Sequence, residues 1–175
     1  MSKRDLKKYI NELTKEQLEE QILELYEKFS SVKVYYNFVF SPQEEKLLQE
    51  CKLKISSEYF PIQTGAKRKK PKMRRSVAQK YIKHFSTLGV DPFIIADVML
   101  YNIEIAQAFS AENTIKQELF YKSLLNSFEQ AIIYMIGNGI LNEFKIRIDA
   151  IHQETIVQNW KNEQNFNAII ERFEY

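Results

Sequence analysis

The sequence predicts an all-α chain, a multi-helix bundle of about seven to eight helices in one domain, with stacked antiparallel pairs (a solenoid-like arrangement) as its alternative. Three observations lead there. Only four Gly and four Pro occur in 175 residues, too few for the turns of an all-β fold. Apolar residues recur at helical spacing along most of the chain. Cap-forming residues stand just before several of these runs. A hydrophobic content of 45% is enough for a real core.

A first short helix follows Ser2 and ends near Leu13. Thr14 with Gln17 then has the pattern of a capping box, each side chain serving a backbone N–H that the first turn leaves unpaired. Beyond it, Leu18, Ile22, Leu25, Phe29, Val32, Tyr36 and Val39 alternate spacings of four and three. That heptad seam predicts one helix through to about Val39, roughly 38 Å long at about 1.5 Å per residue. The competing reading is a hairpin, because VKVYYNFVF is rich in β-formers, LKI at 53–55 alternates, and SPQEEK could turn between them. The seam favours the helix.

Ser41-Pro42 with Glu44 predicts a cap, a first-turn proline and a second capping box. The helix after it would bury Leu47, Leu48, Cys51, Ile55 and Tyr59 and fold back on the long one. Residues 60–73 read as a basic loop. Helix resumes by Arg74 or Ser76 and stops at Gly89, and Asp91-Pro92 starts a helix that is apolar almost all round, the middle of a bundle. A break at Ser110–Asn113 precedes two helices over about Thr114–Ile136 and Ile140–Asn159, and a short last helix carries Phe166, Ile169, Ile170 and Phe173. Single Cys51 excludes an internal disulfide and fits a reducing compartment. The N-terminus lacks the apolar core of a secretory signal, and no apolar run approaches the ~20 residues of a membrane span, so a cytoplasmic protein is expected.

MSKRDLKKYI, LEEQILELYEKF, KISSEYFP, RRSVAQKYIKHF and GVDPFIIADVMLYNIEIAQAFS together resemble a family of small bacterial all-helical proteins, a domain of unknown function. The similarity runs through about the first 110 residues. It implies a cytoplasmic bacterial protein and transfers no activity and no functional residues.

Charge is distributed unevenly. The net charge of +2 comes from 25 basic and 23 acidic residues, yet nine Lys/Arg and no Asp or Glu fall between Tyr59 and Val90. These are Lys67, Arg68, Lys69, Lys70, Lys72, Arg74, Arg75, Lys80 and Lys83. A basic arm leading into a basic helix face suits a phosphate backbone, so sequence-independent nucleic-acid or polyanion binding is one expectation. The other is an acidic protein surface, including the face Glu16, Glu19, Glu20, Glu24 and Glu27 of this chain or of a second copy, or else a plain solvated loop. Cations at a helix N-terminus oppose its dipole, so solvent, an anion or an acidic partner must compensate them.

Asp97 and Glu104 lie seven apart on the apolar helix, hence on one face, with Gln107 alongside. Paired carboxylates suit acid–base work; ion pairs with Lys80 or Lys83 are the commoner outcome. Asp149 and His152 give half of a Glu-x-x-His-type metal motif without its other half, and His84 offers no second one. Cys51 on an apolar stripe reads as an inert core thiol, and no phosphate loop, nucleophile elbow or dinucleotide fingerprint occurs. The expectation is therefore a non-enzymatic interaction protein without cofactor or metal, with a homodimer through the heptad seam as one arrangement. Polyanion binding stands second, and an enzyme built on Asp97 and Glu104 a distant third.

Overall fold

The computed structural model describes residues 2–62 and 69–173. Among them are nine α-helices and no strand. They divide into two compact units, Met1–Gln43 and Glu44–Tyr175.

The first unit holds α1 (Lys3–Glu12), α2 (Lys15–Lys28) and α3 (Ser30–Phe40). Ser2 caps α1, its Oγ accepting from Asp5 N while the Asp5 carboxylate accepts from Ser2 N. Thr14 and Gln17 cap α2 in the same reciprocal way, as the spacing predicts. The long helix expected over 15–39 is not continuous. Phe29 leaves helical geometry, at φ −117° and ψ 113°, closing α2 and opening α3. Its N–H still bonds Leu25 O at 3.0 Å, while its own carbonyl accepts from Val32 N at 3.0 Å. The cause is local: Ser30-Ser31 favours a break, and the β-branched and aromatic run that follows has weak helix propensity. The hairpin reading fails as well, since VKVYYNFVF is helical.

Tyr26 shows how sharply the chain turns. Its hydroxyl donates to Asn37 Oδ1 at 3.1 Å, its ring lies 6.4 Å from Tyr36, and Lys33 Nζ sits over it at 5.2 Å. In one straight helix, Tyr26 and Asn37 would be about 16 Å apart at about 1.5 Å per residue. Tyr36 is therefore turned back towards α2, and the seam ends at Phe29. No side chain of residues 2–43 is buried.

The second unit comprises α4 (Glu44–Tyr59), α5 (Arg75–Leu88), α6 (Pro92–Glu112), α7 (Glu118–Gly137), α8 (Leu141–Val157) and α9 (Glu163–Phe173). Helix α6 packs against α4, α5, α7 and α8, and α9 closes against α7 and α8. Its buried Val98, Leu100, Ile103 and Ala106 are wholly inaccessible, as a helix apolar all round requires. Against the sequence reading, α6 is long and apolar enough to cross a membrane by length and composition. More than half of that window is buried by its neighbours, which is how the core helix of a bundle meets the same test. Gly89 ends α5 at φ +76°, a left-handed conformation costly for a side chain, and Asp91 Oδ1 accepts from Phe93 N at 2.8 Å to start α6. The other expected capping box is absent. α4 begins at Glu44 itself, whose carboxylate accepts instead from Asp91 N at 3.0 Å. α6 runs on to Glu112 and α7 starts at Glu118, later than the pattern suggests. A second core gathers aromatic rings: Trp160 meets Phe120, Tyr121 and Phe166 at 5.2–6.1 Å, and Phe166 meets Phe128 at 4.9 Å.

Candidate functional site

The basic segment is the sequence's main candidate. Lys67 and Arg68 lie outside the described residues. Lys69, Lys70 and Lys72 are exposed before α5, and Lys80 and Lys83 are exposed along it. Arg74 and Arg75 behave differently. Arg74 grips Glu58 at the end of α4 with Nε to Oε2 at 2.9 Å and Nη2 to Oε1 at 2.8 Å. The backbone N–H groups of Lys72 and Met73 donate to the Glu58 carbonyl at 2.9 and 3.0 Å, so both ends of this residue tie down the chain entering α5. Glu58 is buried, at 8% exposure. The hydrogen bond from Arg74 outweighs burial and holds its carboxyl below the usual glutamate range. Of the compensations open at the α5 N-terminus, an anion from within the second unit, Glu58, is the one that pairs Arg74, and the sequence pattern assigns that residue no part.

Arg75 turns inward as well. Its Nε donates to Ser127 Oγ and its Nη2 to Gln130 Oε1, both at 2.8 Å, crossing to α7. Ser127 is itself buried and passes its own proton to Ser123 O at 3.0 Å. Burial pulls the Arg75 guanidinium below its ordinary value. Two of the nine predicted polyanion contacts are therefore engaged in holding α5 to α4 and α7.

Asp97 and Glu104 are paired, but not with Lys80 or Lys83. Arg147 of α8 donates from Nε and Nη2 to the two oxygens of Glu104, each at 2.8 Å, and from Nη1 to Asp97 Oδ1 at 2.7 Å. Lys52 of α4 reaches Asp97 Oδ2 at 2.6 Å. Two carboxylates and two cations close a neutral cluster joining α4, α6 and α8. Burial pulls Arg147 down, but its bonds to Glu104 and Asp97 outweigh that and hold it above the ordinary guanidinium value. The face assignment from the seven-residue spacing is right; the partners differ because α8, distant in sequence, packs on that face. Gln107 is buried and donates to Ile151 O at 2.7 Å, and Gln158 Nε2 donates to Gln107 O at 3.0 Å.

Glu104 borders a depression of about 330 Å³ with Gln107, Ala150 and Glu154, which Asp97 does not line. Among the described residues, no three of His, Cys, Asp and Glu converge on a metal position. Cys51 is fully buried, and burial pushes its thiol up to about 12, which leaves it protonated and unreactive near neutrality.

The remaining candidate is a surface. In α1–α3 eleven large apolar side chains are exposed, including Ile22 at 43%, Leu25 at 47%, Phe29 at 51% and Phe40 at 81%. The carboxylates of α2 line a groove of about 810 Å³ together with Tyr9, Leu13 and Leu23. Glu19 and Glu24 of that face pair with Lys15 and Lys28 of the same helix.

No curated protein and no solved structure matches the chain. The model of a family of unknown function, DUF6155, matches residues 1–174, and the chain belongs to that family.

Proposed function

We propose that this protein is a non-catalytic helical interaction protein that engages its partner through α1–α3. One observation carries the reading: none of residues 2–43 is buried, although the segment is rich in Leu, Ile, Val, Tyr and Phe. Helices of 10, 14 and 11 residues are too short to be held by propensity alone. So many exposed apolar side chains on an otherwise folded chain support a docking surface. The catalytic alternative has less support, because Asp97 and Glu104 are neutralised by Arg147 and Lys52. The test is a photo-reactive residue placed at Phe29 in the full chain expressed in cells. Discrete protein adducts are expected, and none from the same residue at Gln130 in the second unit. No adduct at Phe29 overturns the reading.

A second reading, sequence-independent polyanion binding, is supported by the exposure of Lys70, Lys72, Lys80 and Lys83 in a stretch free of acidic residues. Its reach is narrowed by the engagement of Arg74 and Arg75.

A further inference from the structure

We propose that the occupant of the α1–α3 face is a second copy of this chain, with α2 packed antiparallel on α2 of its partner about a twofold axis. This rests on the reading of α1–α3 as a docking unit and names what docks there.

The turn at Phe29 cuts the predicted seam to Leu18, Ile22, Leu25 and Phe29, and only this part lies on one helical face. Their separations are four, three and four residues, the same in either direction along the helix. A twofold axis requires such self-complementarity, since every contact must recur with the copies exchanged. Antiparallel pairing centred between Leu23 and Glu24 sets Leu18 against the partner's Phe29 and Ile22 against the partner's Leu25. Four apolar layers result, each joining two different seam positions. The turn folds α3 back onto the Tyr26 edge of α2 in each copy, which leaves the seam itself uncovered.

Charge fits the same arrangement. Glu16, Glu20 and Glu27 stand about half a turn away from the seam by helical spacing, so they face away from the partner. The positions beside the seam are Glu19 and Tyr26 on one edge and Gln21 and Lys28 on the other. Antiparallel pairing opposes Glu19 to the partner's Tyr26, over whose ring Lys33 stands, and Gln21 to the partner's Lys28, and no like charges meet. Residues 1–43 hold seven Lys/Arg and seven Asp/Glu, so two copies of the unit approach without net repulsion. Ile22, Leu25 and Phe29 of the seam are 43%, 47% and 51% exposed, so the four layers still have apolar surface to bury.

The experiment is sedimentation velocity on the intact chain, from about 1 to about 100 μM, a range that brackets micromolar association. A species of twice 20.8 kDa is expected, and Ile22→Asp should return it to the single-chain mass with Trp160 fluorescence unchanged. Register is read by cysteine cross-linking, in which buried Cys51 does not compete. A mixture of Leu18→Cys and Phe29→Cys chains should oxidise to a cross-linked dimer. Leu18→Cys alone should not, because its copies would stand about 16 Å apart across the axis, beyond the ~7 Å Cα separation a disulfide spans. A wild-type chain that stays monomeric, a dimer indifferent to Ile22→Asp, or Leu18→Cys cross-linking to itself more readily than to Phe29→Cys would each overturn the proposal. If the wild type is monomeric yet Phe29 photo-adducts contain another protein, self-association falls and the docking reading stands. If there are no adducts at all, both fall.

Discussion

Arg74 and Glu58 meet fork to fork, with both contacts shorter than 3 Å, and one cation of the basic segment is therefore already neutralised. Carboxylate and guanidinium geometry match in such a pair, so it fixes orientation as well as charge. Its place at the α5 N-terminus turns an unfavourable cation near a helix dipole into a tie between α4 and α5.

Acid should release this tie. Glu58 is held below the ordinary glutamate value chiefly by the hydrogen bond from Arg74. A carboxyl lowered on folding contributes stability that is fully present above its unfolded value and is lost as pH falls through its lowered folded value. Amide exchange at Lys72 and Met73, which bond the Glu58 carbonyl, should accelerate in that acid window before the α6 amides respond. Glu58→Gln should show the faster exchange already at neutral pH and remove its acid dependence. Unchanged exchange in the variant would contradict this.

Polyanion binding, if present, should depend on lysines and not on the two arginines. With about three phosphates engaged, log affinity against log salt should slope near −3, at roughly −0.9 per phosphate neutralised. Lys80→Ala with Lys83→Ala should flatten the slope by about two units without favouring any sequence. Arg74→Ala with Arg75→Ala should change the slope little and chiefly loosen α5. No binding to DNA or RNA at low salt removes this reading.

The Arg147 cluster should behave as a structural clasp. Arg147→Met leaves Glu104 without its cation and Asp97 with Lys52 alone, and should cost about 1–3 kcal/mol in denaturant unfolding. Asp97→Asn and Glu104→Gln should each cost less, under about 1 kcal/mol, because each carboxylate is partly exposed. A larger loss from either carboxylate change than from Arg147→Met would contradict the assignment.

Phe166→Ala should be the most damaging of these changes. The ring is fully buried between Phe128 and Trp160, and truncation of such a residue costs about 3–5 kcal/mol. Trp160, 3% exposed, should shift its emission to the red as the cavity loosens its packing. Unaltered emission and stability would show that the aromatic cluster is not cohesive.

The sequence was most informative where one signal stood alone. The α1 and α2 caps, the α5 stop at Gly89, the α6 start at Asp91-Pro92 and the core face of α4 follow from local chemistry, and the structure agrees except at Leu47, which is only half-buried. It misled where two signals competed: the four–three spacing bridges Phe29, but Ser30-Ser31 breaks the helix, and Tyr26 draws Tyr36 and Asn37 back. The candidate sites were legible by face and not by partner. Asp97 and Glu104 share a side as the spacing implies, yet Arg147 lies 43 residues beyond Glu104. Glu58, 16 residues before Arg74, carries no pattern that marks it as an anchor. Pairing across helices is decided by packing, which periodicity does not encode.

That α1–α3 have no core of their own is measured most directly by hydrogen exchange of the full chain in dilute solution. Amides of α2 from Ile22 to Lys28 should exchange orders of magnitude faster than those of α6 from Val98 to Ala106, since only the latter open with the buried core. They should gain protection as concentration rises, while α6 does not change. If the α2 amides of the dilute monomer are as protected as those of α6, the helices are held from within the chain, and α1–α3 are not a docking unit.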